Sequence, residues 1–359
     1  MSKKTIMFTG GGSTGHVALN IELIPKFLDE KWTVEYVGSY DGIEKQLILK
    51  MNDVIYNSIS TGKLRRYFDV ENIKDVKRTL TGVLQAYKLI KAKKPNVIFA
   101  KGGFVSFPVV IGAWLNKVPV ILHESDVTPG LANKLCMPFV SFVCITFNET
   151  KKYIRSTKTV YLGPIIRKSL NKGNPERGYS LCRFKRTKPV LLIMGGSLGA
   201  KKINTEVRAC LNTLLKHFNI VHICGKGQLV ETIIKDGYAQ FEYVDTELAD
   251  IMAISDIVLS RAGSNSIHEF LFFQKPMILV PLPKGSSRGE QITNAELFKK
   301  NGYCEVIYDN DLTEKTLINT VNKVFNNRFY YIENMKKFRF EDSLDKLFEL
   351  IVQTANKKR

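Results

Sequence analysis

Short apolar runs typical of buried β-strands alternate with longer amphipathic runs typical of helices, and this alternation begins twice along the chain. Such alternation favours parallel sheets that helices cover on both faces. We therefore predict an α/β fold with two doubly wound, Rossmann-like domains that face each other across a cleft. Strands are predicted at residues 5–9, 33–37, 96–100, 118–123 and 142–146, and again at 190–194, 220–224, 241–244, 257–260 and 277–280.

Each half of the 359-residue chain opens in the same way, with a strand, a glycine turn and the start of a helix. The two turns read Gly10-Gly11-Gly12-Ser13-Thr14-Gly15-His16 and Gly195-Gly196-Ser197-Leu198-Gly199-Ala200. A length suited to two domains and this repeated opening indicate a boundary near Gly163. We expect a first domain at residues 1–163, a second at 164–338, and a C-terminal helix at 339–359 that packs back on the first domain.

The composition narrows the range of partners. The chain carries 53 Lys and Arg against 34 Asp and Glu, a net charge of +19, which favours nucleotide phosphates or an acidic membrane surface. Nucleic acid is not expected, because no nucleic-acid-binding motif is visible. The apolar stretches are far shorter than the ~18 residues of a membrane span, and the N-terminus has no signal-peptide core. The six Cys include no Cys-x-x-Cys pair, so we expect reduced thiols and a cytoplasmic protein.

A glycine turn before a helix lets backbone N–H groups approach a phosphate, and the helix dipole adds positive potential there. The first turn has the spacing Gly-x-Gly-x-x-Gly at Gly10, Gly12 and Gly15, with an additional glycine at position 11, but the second turn does not have it. No Lys-Ser/Thr pair follows Gly15 or Gly199 as in a Walker motif. Because the two turns do not share a dinucleotide or a Walker spacing, we expect a nucleotide-sugar site rather than dinucleotide or ATP chemistry. The alternative is that the glycines only form tight turns.

A second signal, at residues 260–269, follows a predicted strand and starts a helix. Its small side chains keep the helix start open to a ligand, and Glu269 can accept two hydrogen bonds from the hydroxyls of a ribose. Alternatively, Ser264 or Ser266 caps the helix, with Glu269 closing the capping box of Ser266.

Two further segments place polar groups at strand ends, where open α/β sheets bind their ligands. In residues 281–295, Gln291 follows a flexible loop and can bind sugar hydroxyls, although a solvated helix start is the alternative. In residues 122–134, His123, Glu124 and Asp126 lie close together, and the glycine turn Lys101-Gly102-Gly103-Phe104 ends the strand before them.

Taken in order, these segments resemble the MurG-type N-acetylglucosaminyltransferases of bacterial cell-wall synthesis, which are two-domain GT-B glycosyltransferases. The resemblance covers nearly the whole chain. It is carried by Gly-Gly-x-x-Gly-His, Lys-Gly-Gly-Phe-Val-Ser, His-Glu-Ser-Asp-x-Thr-Pro-Gly-Leu-Ala-Asn-Lys, Gly-Gly-Ser-x-Gly-Ala, Ser-Arg-Ala-Gly-Ser-Asn and Gln-x-x-Asn-Ala. The His-Glu-Ser-Asp form is similar to enzymes of low-GC Gram-positive bacteria. Other members have Asn where this chain has Asp126, and an Asp accepts hydrogen bonds but cannot donate them.

The resemblance implies transfer of GlcNAc from UDP-GlcNAc to the C4 hydroxyl of the MurNAc unit of lipid I, with inversion, giving lipid II and UDP. It also implies roles for individual residues. Ser197 and Arg167 lie near the diphosphate, Val244 lines the uracil pocket, and Glu269 binds the ribose. The remaining substrate-binding residues are, on the nucleotide and GlcNAc side, Ser264, Asn265, Ser266 and Gln291, and from the first domain Thr14, Gly15 and Asp126.

Inversion by direct displacement needs one base for the acceptor hydroxyl. His16 is the first choice, with Glu124 and Asp126 as alternatives; a structural His16, hydrogen-bonded to its own loop, also remains open. No cofactor or metal is expected. The Asp-x-Asp sequence at Asp309 to Asp311 is interpreted as a helix start, with Asp311 as the N-cap and Glu314 closing the box.

The lipid acceptor requires contact with a membrane, so we expect a peripheral protein at the cytoplasmic face. Residues 63–68 mix basic and aromatic side chains, and apolar side chains at helical spacing follow among further Lys and Arg. Such a pattern suits an anionic surface; the alternative is that the apolar stripe faces the sheet. The candidate membrane residues are Lys63, Arg65, Arg66 and Arg78.

Two other functional interpretations of the sequence stay open. A different GT-B enzyme, such as a diacylglycerol glycosyltransferase or a UDP-GlcNAc 2-epimerase, shares the glycine turns and the ribose glutamate, although the His-Glu-Ser-Asp segment favours the cell-wall enzyme. A non-enzymatic nucleic-acid-binding protein is suggested by the charge alone.

Overall fold

A computed structural model describes residues 4–62, 70–154, 158–196 and 199–357. The chain divides into two compact units: unit 1 is Met1–Ile165 with Glu341–Arg359, and unit 2 is Ile166–Phe340. Each unit is a parallel, Rossmann-like α/β sheet, which confirms the predicted fold class. Over the described ranges, no helix is both long and apolar enough to cross a membrane.

Unit 1 contains seven strands and the first five α-helices in its described part. The strands are β1 (Thr5–Thr9), β2 (Thr33–Gly38), β3 (Val54–Ser58), β4 (Val97–Ala100), β5 (Val120–Glu124), β6 (Phe142–Ile145) and β7 (Thr159–Tyr161). The helices are α1 (Gly15–Asp29), α2 (Ile43–Ile48), α3 (Val70–Lys93), α4 (Ser106–Leu115) and α5 (Leu131–Cys136). All strands pair in parallel, in the order β3-β2-β1-β4-β5-β6-β7. The edge strands β3 and β7 were not predicted.

Unit 2 has the same construction. Its strands are β8 (Val190–Met194), β9 (Asn219–Ile223), β10 (Tyr238–Phe241), β11 (Ile257–Ser260), β12 (Met277–Leu279) and β13 (Cys304–Val306). Its helices are α6 (Pro175–Cys182), α7 (Lys201–Ala209), α8 (Leu211–Leu214), α9 (Leu248–Ile254), α10 (Ser264–Phe272), α11 (Glu290–Lys300), α12 (Glu314–Asn326) and α13 (Arg328–Met335). The strand order is β10-β9-β8-β11-β12-β13.

Two local predictions in unit 2 are wrong. The strand predicted at 241–244 lies earlier, because β10 pairs with β9 from Tyr238 to Phe241 and the chain then turns to exposed residues. The N-cap of α12 is Thr313 rather than Asp311: Thr313 Oγ1 accepts from Thr316 N, and Thr316 Oγ1 accepts from Thr313 N. Asp311 instead ends a short 3₁₀ turn.

The C-terminal helix α14 (Ser343–Asn356) belongs to the core of unit 1. Leu344, Leu347 and Ile351 are buried in the same apolar cluster as Phe8 of β1 and Phe27 of α1. At the start of α14, Ser343 Oγ donates to the carbonyl of Leu162. One face of the unit 1 sheet is therefore covered by α1 and by the last helix of the chain.

Candidate active site

In both units the strand order reverses beside the first strand, and the glycine turns lie at that reversal. In unit 1 it falls between β1 and β4, whose ends Thr9 and Ala100 pair directly. In unit 2 it falls between β8 and β11, where Met194 pairs with Ser260. Open α/β sheets bind their ligands at the carboxyl ends of strands at this point. Each unit thus brings two sequence-predicted segments side by side.

In unit 2 the two adjacent turns leave room for a ligand. Gly196 has a φ of 92°, a conformation that favours glycine, and among the described residues a Cβ built there would meet no atom within 4 Å. A Cβ on Gly263 would also meet none. Open space beside backbone at a helix start is the arrangement that a phosphate requires. The predicted diphosphate residue Ser197 lies outside the described residues.

Helix α10 begins at Ser264, and its N-cap is Gly263, which has no side chain. Neither Ser264 nor Ser266 is therefore the N-cap, and the capping alternative for this segment is wrong. Ser264 is buried, whereas Asn265 and Ser266 are half-buried in the first turn.

Glu269, one turn into α10, pairs with Arg167 rather than with a helix cap. Arg167 Nε lies 2.6 Å from Glu269 Oε1, and Arg167 Nη2 lies 2.8 Å from Oε2. The Glu269 side chain is 6% exposed and that of Arg167 is 32% exposed. A bidentate pair of this kind fixes the orientation of a buried carboxylate.

Two other predicted residues of unit 2 lie on neighbouring loops. Val244 is half-buried in the loop after β10. Burial raises the pKa of the neighbouring Tyr243, and the positive charge of Arg167 partly offsets that rise. Gln291 Oε1 accepts from Ala262 N at 3.3 Å and from Leu282 N at 3.2 Å. Gln291 therefore links the loops that follow β11 and β12.

In unit 1 the first glycine turn is built around a carboxylate that the sequence analysis missed. Glu44 of α2 is fully buried and accepts from Gly12 N at 3.2 Å and from Ser39 N at 3.0 Å. A Cβ on Gly11 would collide with this carboxylate, so the glycine is required by packing. No motif signals Glu44, because its partners come from separate segments.

His16 lies half-buried in the first turn of α1, after Thr14 at the N-cap and Gly15 at the first helical position. Its Nδ1 is 3.0 Å from the Gly11 carbonyl and 3.1 Å from Ser13 Oγ. A carbonyl only accepts, so in the neutral imidazole the proton is on Nδ1 and the lone pair is on Nε2. His16 is therefore hydrogen-bonded to its own loop, as the structural alternative expects. The same contact favours the tautomer in which Nε2 can act as a base.

The two carboxylates after β5 differ in their surroundings. Glu124 is buried and accepts from Asp126 N at 3.0 Å, Gly130 N at 2.9 Å and Asn133 Nδ2 at 2.8 Å. Three donors anchor Glu124 as the centre of this turn. Asp126 is half-buried, and its carbonyl accepts from Thr150 Oγ1. Of the two, Asp126 is the more accessible to a ligand.

Lys101 is a second group that the sequence analysis quoted without assigning a role. It follows β4 directly and is 1% exposed. His123 beside it is also buried, and burial together with the charge of Lys101 places the pKa of His123 well below its usual value. Across the described part of the chain, no group of three His, Cys, Asp or Glu side chains could hold a metal ion.

Helix α3 turns an apolar stripe outward, which contradicts the alternative that the whole stripe faces the sheet. Val76, Leu80 and Leu84 are 50%, 61% and 63% exposed, while Thr79 and Ala86 face inward. Arg78 is exposed beside this stripe and pairs with Asp75 at 3.3 Å. The other predicted membrane residues, Lys63, Arg65 and Arg66, lie outside the described residues.

Comparison with known proteins agrees with the geometry of both units. Residues 6–145 match the glycosyltransferase family 28 N-terminal domain, and residues 190–348 match the family 28 C-terminal domain. A crystal structure of MurG from Acinetobacter baumannii has the same fold, with a TM-score of 0.76 at 21% identity over 98% of this chain and 99% of that one.

Curated relatives are much closer in sequence. A UDP-N-acetylglucosamine–N-acetylmuramyl-(pentapeptide) pyrophosphoryl-undecaprenol N-acetylglucosamine transferase of Geobacillus thermodenitrificans is 51% identical over 98% of this chain and 99% of the relative. The transferase of the same name from Clostridium tetani is 53% identical over 97% and 98%, respectively. Identity of this extent along nearly the whole chain shows that the chain belongs to the MurG-type N-acetylglucosaminyltransferases of glycosyltransferase family 28.

Proposed function

We propose that the protein transfers GlcNAc from UDP-GlcNAc to the MurNAc C4 hydroxyl of lipid I, forming lipid II and UDP. The observation that carries this proposal is the 51% identity over 98% of the chain to a transferase whose name states this donor and this type of acceptor. The open glycine turns of unit 2 and the lone pair of His16 in unit 1 supply the two chemical requirements, an anion site and a base.

In this proposal unit 2 binds the donor, the role expected for the second domain at 164–338. Glu269 accepts from the ribose hydroxyls while Arg167 holds the carboxylate in place and adds positive charge near the diphosphate. Because Gln291 Oε1 is already engaged, its Nε2 donates to the GlcNAc hydroxyls. Val244 lines the uracil site. The phosphate contacts come from Ser197, Ser264, Asn265 and Ser266.

Unit 1 acts on the acceptor. Nε2 of His16 takes the proton of the C4 hydroxyl as that oxygen bonds to C1 of GlcNAc, and the bond from C1 to the β-phosphate oxygen breaks with inversion. UDP leaves with the bonding electron pair, and the N–H groups at the glycine turns and helix starts of unit 2 stabilise its charge. Thr14, Gly15 and Asp126 contact the sugars.

The direct test is UDP release from UDP-GlcNAc with and without a water-soluble lipid I analogue. We expect release that depends on the analogue and a disaccharide product with a new β linkage. Release that is equal without the analogue, or conversion of UDP-GlcNAc to an isomer without UDP release, would contradict the transferase.

The first site prediction concerns the donor. Glu269→Ala removes a buried charged acceptor worth ~1.5–3 kcal/mol to the ribose hydroxyls, so the KM for UDP-GlcNAc should rise about 10- to 150-fold. Steady-state kinetics and UDP titration measure this effect. The control is Glu333→Ala, an exposed carboxylate of the same unit that pairs with Lys336. An unchanged KM in a folded Glu269 variant would contradict the proposal that Glu269 binds the ribose.

The second site prediction concerns the base. His16→Ala should lower kcat by ~10²–10⁴ and leave UDP binding nearly intact. His16→Asn should be equally slow, because an amide can keep a donor near the Gly11 carbonyl but cannot take up the proton. Exposed His217→Ala is the control. Recovery of kcat in the Asn variant would mean that His16 only supports its loop, and the base would then be sought at Asp126.

We further propose that the protein works as a peripheral protein at the cytoplasmic face of the membrane, docked through α3. Three exposed apolar side chains one turn apart can enter the bilayer interface, and the exposed Lys74, Lys77 and Lys88 lie among them. Each basic residue near an anionic surface adds roughly 1 kcal/mol of attraction.

Two variants test this docking face by co-sedimentation with phosphatidylglycerol vesicles. Val76, Leu80 and Leu84 all changed to Ser, or Lys63, Arg65, Arg66 and Arg78 all changed to Gln, should release the protein. Turnover of a water-soluble acceptor should survive in both. Wild type should also dissociate as salt rises, because the attraction is screened over ~8–10 Å.

The matched control changes Ile234, Phe329 and Tyr330 of unit 2 to Ser, since these large side chains are also exposed, at 89%, 66% and 61%. Equal retention of the α3 variants and wild type, or release of the control alone, would place the docking face elsewhere.

A further inference from the structure

His222 is a fully buried polar side chain that the proposed reaction does not use. It lies in β9 of unit 2, opposite Ile193 of β8, and is 0% exposed. A polar group at such a position is tolerated only when it is hydrogen-bonded. Both ring nitrogens of His222 meet this condition: Nδ1 lies 2.9 Å from the Tyr238 hydroxyl, and Nε2 lies 3.0 Å from Asn204 Oδ1.

The direction of each hydrogen bond follows from a backbone carbonyl at one end. Asn204 Nδ2 donates to the Cys224 carbonyl at 2.9 Å, so Asn204 Oδ1 faces His222 and accepts from Nε2. Burial and the charge of Arg208 lower the pKa of His222 to about 3, so the imidazole is neutral and Nδ1 accepts from Tyr238. These groups form one directed network, the His222 network of Tyr238, His222, Asn204 and the Cys224 carbonyl.

The His222 network ends against the glycine turn of unit 2. The Cys224 carbonyl is packed on Gly199, because a Cβ built on Gly199 would collide with that oxygen. Gly199 N in turn donates to the Gly196 carbonyl at 2.9 Å. Asn204 lies one turn into α7, the helix that follows this turn. Its side chain thus ties the start of α7 to the same carbonyl that packs against the glycine turn.

Unit 1 has a polar side chain at the equivalent position. Tyr36 of β2 lies opposite the second-to-last residue of the first strand, as His222 does in unit 2. The Tyr36 hydroxyl donates to the Gly10 carbonyl at 2.6 Å and accepts from Asn20 Nδ2 of α1 at 3.1 Å. In both units, therefore, a buried polar group of the second strand links the first helix to the glycine turn.

Such a network restricts how the helix can sit on the sheet. Apolar packing alone tolerates alternative arrangements at small cost, whereas a fully satisfied polar network favours a single one. The arrangement matters at the start of α7, because backbone N–H groups bind an anion only at hydrogen-bond distance and in the right direction.

We propose that His222 is a positioning residue for the donor: through Asn204 it holds the glycine turn and the start of α7 in the arrangement that binds the diphosphate of UDP-GlcNAc. This inference rests on the donor site of the proposed function.

UDP and uridine separate positioning from a general effect on unit 2, because uridine lacks the diphosphate. Titration of the full-length protein measures the Kd for each. His222→Met removes the donor to Asn204, whereas His222→Gln keeps an N–H group near the place of Nε2. The matched control is Val207→Ala, which removes packing from an equally buried position of α7 and leaves the His222 network intact.

We expect His222→Met to raise the Kd for UDP at least ~10-fold and the Kd for uridine less than ~2-fold, because only the diphosphate contacts the displaced turn. His222→Gln should bring the Kd for UDP back to within ~3-fold of wild type. Val207→Ala should lower the unfolding temperature and keep both Kd values. An unchanged Kd for UDP, equal weakening of UDP and uridine, or no recovery with Gln would overturn the inference.

Asn204→Ser is the second variant if His222→Met does not fold, because it shortens the link to the Cys224 carbonyl and leaves β9 unchanged. The same difference between UDP and uridine is expected. Failure of both variants to fold would mean that the network serves stability alone and would overturn the inference.

These titrations also separate the inference from the proposed function. A wild type that binds UDP but transfers no GlcNAc would contradict the transferase, and the two Kd values would still decide the role of His222. A wild type that does not bind UDP would overturn both.

Discussion

Parallel pairing across each switch point is the constraint on which both candidate sites depend. The pairs Thr9 with Ala100 and Met194 with Ser260 bring two chain segments to the same edge of each sheet. Helices that start at these ends direct their N–H groups toward that edge. If the diphosphate binds at this edge, as proposed, the backbone supplies the anion site, and few side chains are needed to hold the diphosphate.

Buried carboxylates then shape the loops at these edges. Glu44 holds the first glycine turn, Glu124 holds the turn after β5, and Glu269 is held by Arg167. A buried carboxylate is tolerated only with several donors or a cation, so each one gathers backbone N–H groups or a guanidinium around it. The loops are thus organised before a substrate arrives, which reduces the entropy that binding must oppose.

The sequence predicts the repeated architecture and most site segments, because strand alternation and glycine turns are local signals. The short edge strands β3 and β13 are not predicted. The burial of β3 does not alternate clearly, with Ile55 47% exposed, and β13 has only three residues. Contacts between residues far apart in the sequence are not predicted either. Arg167 and Glu269 are 102 positions apart, and the family resemblance implied separate roles for them near the diphosphate and the ribose. Their direct pairing follows only from the fold.

Lys101 shows why a residue can be quoted in a motif and still be given no role. Beside two glycines, a lysine is typical of a phosphate site or of a solvated surface, but here the side chain is only 1% exposed. Burial disfavours the charged form of an ammonium group and lowers the pKa of Lys101 to about 8. The enclosure depends on two tertiary contacts, because the strand pairing places Lys101 level with His123 and its Cβ lies against the first glycine turn. Neither contact can be predicted from the residues that flank Lys101 in the sequence.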